Sequence, residues 1–377
     1  MWRYRNPVDV KFGAGVFATL GKVLGGRAYC LVTYDDANGG GIFAALTDRV
    51  VAMAGVPAVM VRNIGPNPDF MGLTASCRTF ASAERPVEVI VALGGGSVMD
   101  AAKVLAAADG DFDKVRRHLV TGAGGDELGR TPIIAVPTTA GTGSEVTSWA
   151  TVWDTAAMKK YSLARPDLYP EHAVVDPQLM LGMPRQLTIS TGLDALSHAL
   201  ESLWNVNVNP LSAHHAVAAA REILVILPPL AKDLQNLKLR TRMAQAALSA
   251  GLAFSNTRTA IAHSISYPLT LYYGVAHGIA CSFTLPMVLK SVSDLEGLTR
   301  EGLVDIFGSD LARAGDQLED FLQDLGVSTD FRNYGVRSDA WSQLILDAFD
   351  GERGQNFVGT KQALMRAAGL SAQRRPS

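Results

Sequence analysis

In the first half of this 377-residue chain, short apolar and β-branched runs alternate with segments of helical spacing. "RAYCLVTY", "AVMVRNI", "VEVIVALGGG" and "PIIAVPTT" read as strands, each closed by a turn or a Gly/Pro cluster. "GIFAALTDRVVAMAG" and "SVMDAAKVLAAAD", lying between them, read as helices. Parallel strands need crossover connections, so the alternation predicts a mostly parallel sheet with helices on both faces. From about Pro184 the strand signals stop. Ala, Leu and charged residues at helical spacing take over, as in "RTRMAQAALSAGLAFSN" and "GDQLEDFLQDLG". The expectation is an α/β N-terminal domain over residues 1–183 and an all-α C-terminal domain over 184–377, with "DPQLMLGMP" as the crossing point. The end, "SAQRRPS", reads as a frayed basic tail.

Composition narrows the function. The chain is 48% hydrophobic and 19% charged, enough to build large cores. With 34 basic against 36 acidic residues, it lacks the cationic excess that a nucleic-acid surface needs. The run "AVAAAREILVILPPLA" is interrupted by Arg221, Glu222 and a proline pair, so no membrane span is expected. The start shows no apolar core of signal-peptide length. Cys30, Cys77 and Cys281 are too few and too scattered for a disulfide framework or a zinc cluster, and each is expected as a small buried apolar residue. A cytoplasmic protein acting on a small molecule is the expectation.

Two loops suggest a nucleotide. Gly94, Gly95 and Gly96 end one strand, where a bare backbone lets an anion come close. Ser97 is placed to cap the helix that follows, whose free amides and positive end would face a pyrophosphate. In "PIIAVPTTAGTGSEVT", Thr138, Thr139 and Thr142 offer hydroxyls beside Gly141 and Gly143. Thr142 and Glu145 have capping-box spacing, which predicts a helix start. Two such loops at the carboxyl ends of neighbouring strands would form the crevice where open α/β sheets bind dinucleotides.

The helical half suggests a metal. Asp194 and His198, four residues apart in "STGLDALSHALESLW", share one helix face. They can grip one cation or simply hydrogen-bond. His263 and His277 would lie about 21 Å apart on one unbroken helix. Pro268 and Gly274 are expected to break it and fold the chain back. Three imidazoles and a carboxylate could then hold Fe(II) or Zn(II) with a position open; buried, satisfied histidines remain the alternative.

The ordered motifs "GGGSVMDAAK", "PTTAGTGSEVT", "LYPEHAVVDPQL", "MPRQLTISTGLDALSHALE" and "AHGIACSFTLP" carry a resemblance. The chain resembles the iron-containing (group III) alcohol dehydrogenase family of the dehydroquinate-synthase-like superfamily. The resemblance implies metal-dependent, NAD(P)-linked interconversion of an alcohol and an aldehyde by a homodimer, without net turnover if the chain were instead a dehydroquinate-synthase-like lyase. It puts the metal on Asp194, His198, His263 and His277, a set that the metal-free maleylacetate reductases lack. It counts Asp100, Ser144 and Lys160 with the two loops as cofactor contacts. Three positions depart from the family pattern. Tyr267 stands where a second histidine would relay protons, and Tyr34 where NAD-preferring members have an aspartate. Arg258 replaces a small residue in "SNTRTAIAHSISYPLT", a run that resembles the phosphonoacetaldehyde reductase branch. Placed on a helix five residues before His263, its guanidinium fork would meet an anionic group of the substrate. Reduction of an anionic aldehyde is thus expected, with neutral aldehydes as the alternative.

Overall fold

The computed structural model describes residues 1–35 and 41–370; the basic tail lies outside them. Asn6–Met183 form one compact unit, and Met1–Arg5 join the chain from Pro184 onward in a second.

Among the described residues, the first unit holds eight strands: β1 (Asp9–Phe12), β2 (Tyr29–Val32), β3 (Val59–Val61), β4 (Val89–Gly94), β5 (Ile133–Pro137), β6 (Trp149–Asp154), β7 (Lys159–Ala164) and β8 (His172–Val175). Six form a sheet in the order β1-β8-β5-β4-β2-β3, with every pairing parallel. β6 and β7 make a separate antiparallel pair. Its helices are α1 (Leu20–Leu24), α2 (Ile42–Ala54), α3 (Phe70–Ala81), α4 (Gly96–Ala108) and α5 (Phe112–Thr121).

All six residues of β4 are buried, because side chains alternate between two covered faces. Val89, Val91 and Leu93 enter a core with Leu20, Leu24, Leu46 and Val50. Ile90 and Ala92 enter another with Leu73, Met99, Ala102 and Val115. The four strands expected from sequence are present. β1 and β8 add four residues each, too short to carry a period, and β7 hides its pairing in an exposed, lysine-rich run.

The second unit is helical: α6 (Arg185–Leu203), α7 (Pro210–Lys232), α8 (Leu237–Thr257), α9 (Ile261–Tyr273), α10 (His277–Ser282), α11 (Leu285–Val292), α12 (Leu298–Phe307), α13 (Leu311–Asp324), α14 (Ser338–Ala348), α15 (Glu352–Gln355) and α16 (Lys361–Ala367). From Gly192 to Leu203 every residue of α6 is buried, the mark of a helix enclosed on all sides. It packs against α7, α8 and α10. Gly278 allows the last contact: a Cβ there would lie 1.9 Å from the Ser190 carbonyl oxygen.

Two expectations about this unit are corrected. Residues 1–5, expected in the α/β domain, pack on α8: Tyr4 Oη donates to Leu252 O at 3.1 Å and the Arg5 amide to Asn256 Oδ1 at 2.8 Å. Pro268 lies within α9 without ending it. Its ring removes one donor, but the flanking turns hold, and the break comes only at Gly274, in left-handed conformation with φ 66°.

Candidate metal centre and cofactor loops

Three helices bring the metal-ligand candidates together. α6 presents Asp194 and His198 one turn apart, α9 presents His263 in its first turn, and α10 begins at His277. The Nε2 atoms of His198, His263 and His277 lie 3.7, 3.5 and 3.8 Å from the same oxygen, Asp194 Oδ1. These are long for hydrogen bonds. They are close to the separation of about 3.4 Å between neighbouring ligands around a tetrahedral ion with bonds of about 2.1 Å. Asp194 Oδ1 and His263 Nε2 are buried with no hydrogen-bond partner. Leaving a buried polar atom unpaired costs about 1–3 kcal/mol. A divalent cation would satisfy both, so the residues fit the group.

The electrostatics agree. Burial pushes His198 down to about 4, which leaves its imidazole neutral with a lone pair to give. Burial opposes charge on Asp194, but the facing His198, His263 and His277 overcome it and hold the carboxyl well below its usual range. Burial likewise disfavours protonated His263, but Cys281 and the Glu201 carboxylate outweigh it and hold its pKa well above the ordinary value. A cation entering here displaces that proton.

Two residues of this site escaped the sequence reading. Glu201 Oε2 meets His263 Nδ1 at 2.5 Å, while Oε1 accepts from the Ala262 and His263 amides at 2.6 and 3.2 Å. This fixes the imidazole with Nε2 toward Asp194, the arrangement that orients metal-binding histidines. Its signal was available: Glu201 follows His198 by three residues and Asp194 by seven, on the same helix face. Cys281, expected as an inert apolar residue, lies one turn after His277 with Sγ 3.6 Å from its Nε2. Phe254 stacks on the His198 ring at 3.9 Å and holds its plane.

In the first unit, the glycine loop and the threonine loop leave adjacent strands side by side. Gly94 pairs with Pro137, and the Thr138 amide donates to Gly94 O at 2.9 Å. A Cβ on Gly95 would lie 3.2 Å from Thr139 Cγ2, and one on Gly96 2.6 Å from Thr142 Cγ2. Only bare backbone lets the loops approach this closely. β2 continues outward to β3 while β4 is followed on its other side by β5, so the glycines sit at the point where the strand order reverses. Tyr34, just past β2, would have its hydroxyl oxygen 3.4 Å from a Gly95 Cβ.

Several assignments change here. The cap of α4 is Gly95, not Ser97; Ser97 Oγ instead accepts from the Asn67 amide at 3.3 Å. The threonine loop starts no α-helix and makes a single 3-10 turn, Ser144–Val146. Glu145 is drawn inside instead of capping, and burial raises it to about 7 despite the nearby Lys103 charge. Lys103 is fully buried. Its Nζ donates to Ser144 O, Ser144 Oγ, Thr147 Oγ1 and Trp149 O at 2.7, 2.8, 3.2 and 2.9 Å. Burial brings it down to about 8 against the pull of Asp100 and Glu145. Asp100 accepts from Ser144 Oγ at 2.9 Å and the Thr151 amide at 3.0 Å. Asp100 and Ser144 therefore bind each other. Lys160, on β7, adds a charge that acts on Asp100.

The family described as iron-containing alcohol dehydrogenase matches residues 7–177, and its C-terminal domain matches residues 188–367. The chain belongs to the iron-containing alcohol dehydrogenase family. It is an oxidoreductase of a family that uses NAD(P) and iron. A phosphonoacetaldehyde reductase of Streptomyces viridochromogenes is 38% identical over 239 residues, 62% of this chain and 60% of that one. This match thus spans less than two thirds of that relative. The 1,3-propanediol dehydrogenase of Citrobacter freundii is 31% identical over 359 residues, 89% of each chain. Among solved structures, the sulfoacetaldehyde reductase of Bifidobacterium kashiwanohense in complex with NAD+ aligns with a TM-score of 0.88. It is 28% identical and covers 99% of this chain and 100% of that one.

In this dehydrogenase, Arg258 does not share a helix with His263. It caps α8 with φ 65° and ψ 179°, a conformation that glycine adopts easily and arginine at a cost of about 1–3 kcal/mol. Its carbonyl is held by Asn205 Nδ2 at 3.2 Å and Thr257 Oγ1 at 3.0 Å. Its guanidinium pairs with Glu352, both ends partly exposed. Tyr267 lies one turn beyond His263 on α9, its ring parallel to that of His277 with centroids 6.5 Å apart.

Proposed function

We propose that the protein reduces a small anionic aldehyde to its primary alcohol, with phosphonoacetaldehyde, giving 2-hydroxyethylphosphonate, as the substrate. When bound, the metal polarises the carbonyl and NAD(P)H supplies the hydride. Asp194, His198, His263 and His277 would hold the metal. The amides of Gly94, Gly95 and Gly96 and the start of α4 bind the pyrophosphate. Thr138, Thr139, Thr142, Ser97 and Lys160 add contacts to the cofactor, with Asp100 and Ser144 supporting the loops from behind. The Tyr267 hydroxyl passes a proton to the product oxygen. The enzyme acts as a homodimer.

One observation carries the anionic substrate: a strained arginine, Arg258, beside Arg353. Burial, and then the Arg353 charge, disfavour the charge of Arg258, whose guanidinium pairs with Glu352, and Arg353 Nη1 is buried with no partner. An anion would satisfy it. Similarity to reductases named for a phosphono- and a sulfo-aldehyde supports the same reading. The Arg258–Glu352 pair favours a second reading. There Arg258 is structural and neutral aldehydes are reduced, as the similarity to a propanediol dehydrogenase suggests.

The test is oxidation of NADH and NADPH with phosphonoacetaldehyde, sulfoacetaldehyde and neutral aldehydes of similar size. A charge-assisted contact from a partly exposed guanidinium is worth about 1 to 2 kcal/mol, so Arg258→Gly should lower kcat/KM for the anionic aldehyde about 5- to 30-fold and leave neutral ones little changed. Equal losses on both classes, or a wild-type preference for neutral aldehydes, favour the second reading.

A further inference from the structure

Cys281 is fully buried on α10, one turn past His277. Its Sγ lies 3.6 Å from Nε2 and 3.8 Å from Nδ1 of that ring. The ligand atoms of Asp194, His263, His277 and Cys281 all lie within 4.8 Å of one another. Two of them, Asp194 Oδ1 and His263 Nε2, are buried and lack hydrogen-bond partners. Cys30 and Cys77 are buried among the apolar side chains of the α/β unit. Cys281 instead faces three other donors.

We propose that Cys281 Sγ is a donor to the divalent cation held in this pocket. The inference rests on the reading that Asp194, His198, His263 and His277 bind a metal, to which Cys281 would add a further donor. On loading, the thiol releases its proton to solvent and a sulfur lone pair forms the bond to the ion, with no change in oxidation state. Thiolate and carboxylate together neutralise a dication. A soft sulfur donor also favours Zn(II) and Co(II) over harder ions such as Mn(II).

Cobalt reports sulfur ligation by an absorption that activity does not reveal. Co(II)-loaded wild-type protein should show a near-ultraviolet sulfur-to-metal charge-transfer band. The band should persist in the Cys30→Ala/Cys77→Ala protein and vanish in Cys281→Ser. Zn(II) loaded into wild-type protein should show sulfur at about 2.3 Å by X-ray absorption, a measurement that needs no variant to fold. Cys281→Ser and Cys281→Ala should each shift metal preference from Zn(II) toward Mn(II) by at least tenfold in chelator competition. Co(II) bound with ligand-field bands but no charge-transfer band, or zinc with only nitrogen and oxygen neighbours, would overturn the role of Cys281 and leave the metal pocket standing. Wild-type protein that takes up neither ion overturns both.

Discussion

Gly278→Ala tests whether contact between two helices sets the metal geometry. The added Cβ would lie 1.9 Å from the Ser190 carbonyl oxygen, whereas ordinary contact begins at 3.4 Å, so α10 must retreat from α6 by about 1.5 Å. Backbone stands on both sides, and no rotamer relieves the clash. His277 is the residue before the glycine, and its Nε2 would leave the group around Asp194 Oδ1. Metal–ligand distances tolerate only about 0.2 Å, so the shift removes one ligand outright. We expect metal affinity to fall at least 100-fold, with an overpacking cost of about 1–3 kcal/mol in stability. Affinity is read by competition with a chromophoric chelator and stability by urea unfolding. Gly65→Ala, where a Cβ meets nothing within 4 Å, is the control and should match wild type. A Gly278→Ala protein with wild-type metal affinity would refute the reasoning.

Three further outcomes are expected. Glu201→Gln, by loosening His263, should weaken metal binding about 10- to 100-fold, and unchanged affinity in the same competition assay would dismiss Glu201 as an orienting group. Glu145 titrates at about 7 folded against 4.5 unfolded; a raised carboxyl pKa means stability present below 4.5 is lost as pH rises to 7. Glu145→Gln should abolish that fall, about 3 kcal/mol between these limits, and urea midpoints with the same pH slope in both proteins would contradict the assignment. Gly95→Val crowds Thr139 and should lower NAD(P)H affinity at least tenfold with the fold intact; equal affinity by fluorescence titration would move the cofactor elsewhere.

Local periodicity revealed the architecture most plainly where an element carries its burial in its own composition, as in the continuous apolar run of β4; α6 is buried with Asp194, His198 and Glu201 inside it. The pairing of Asp194 with His198 was readable for the same reason, since both lie on one helix. Glu201 and His263 are 62 residues apart, and nothing local connects them. Cys281 became notable only once α6, α9 and α10 converged. Arg258 misled because arginine rarely takes positive φ, so the sequence favoured a continuing helix where the chain turns. Ser97 and Glu145 misled in the same way. Each had the spacing of a cap, but Ser97 meets the Asn67 amide instead and Glu145 is buried near Lys103.

Lys103 has a thermodynamic consequence for the cofactor. Its single ammonium holds the threonine loop through the Ser144 carbonyl and hydroxyl, and α4 carries that ammonium away from the glycine loop. Immobilising a free loop of this length would cost about 1–2 kcal/mol per residue in backbone entropy. That entropy is lost when the domain folds, not when the dinucleotide arrives, so more of the contact energy appears as affinity. In the proposed reading, the buried lysine leaves the cofactor loops rigid before they are filled.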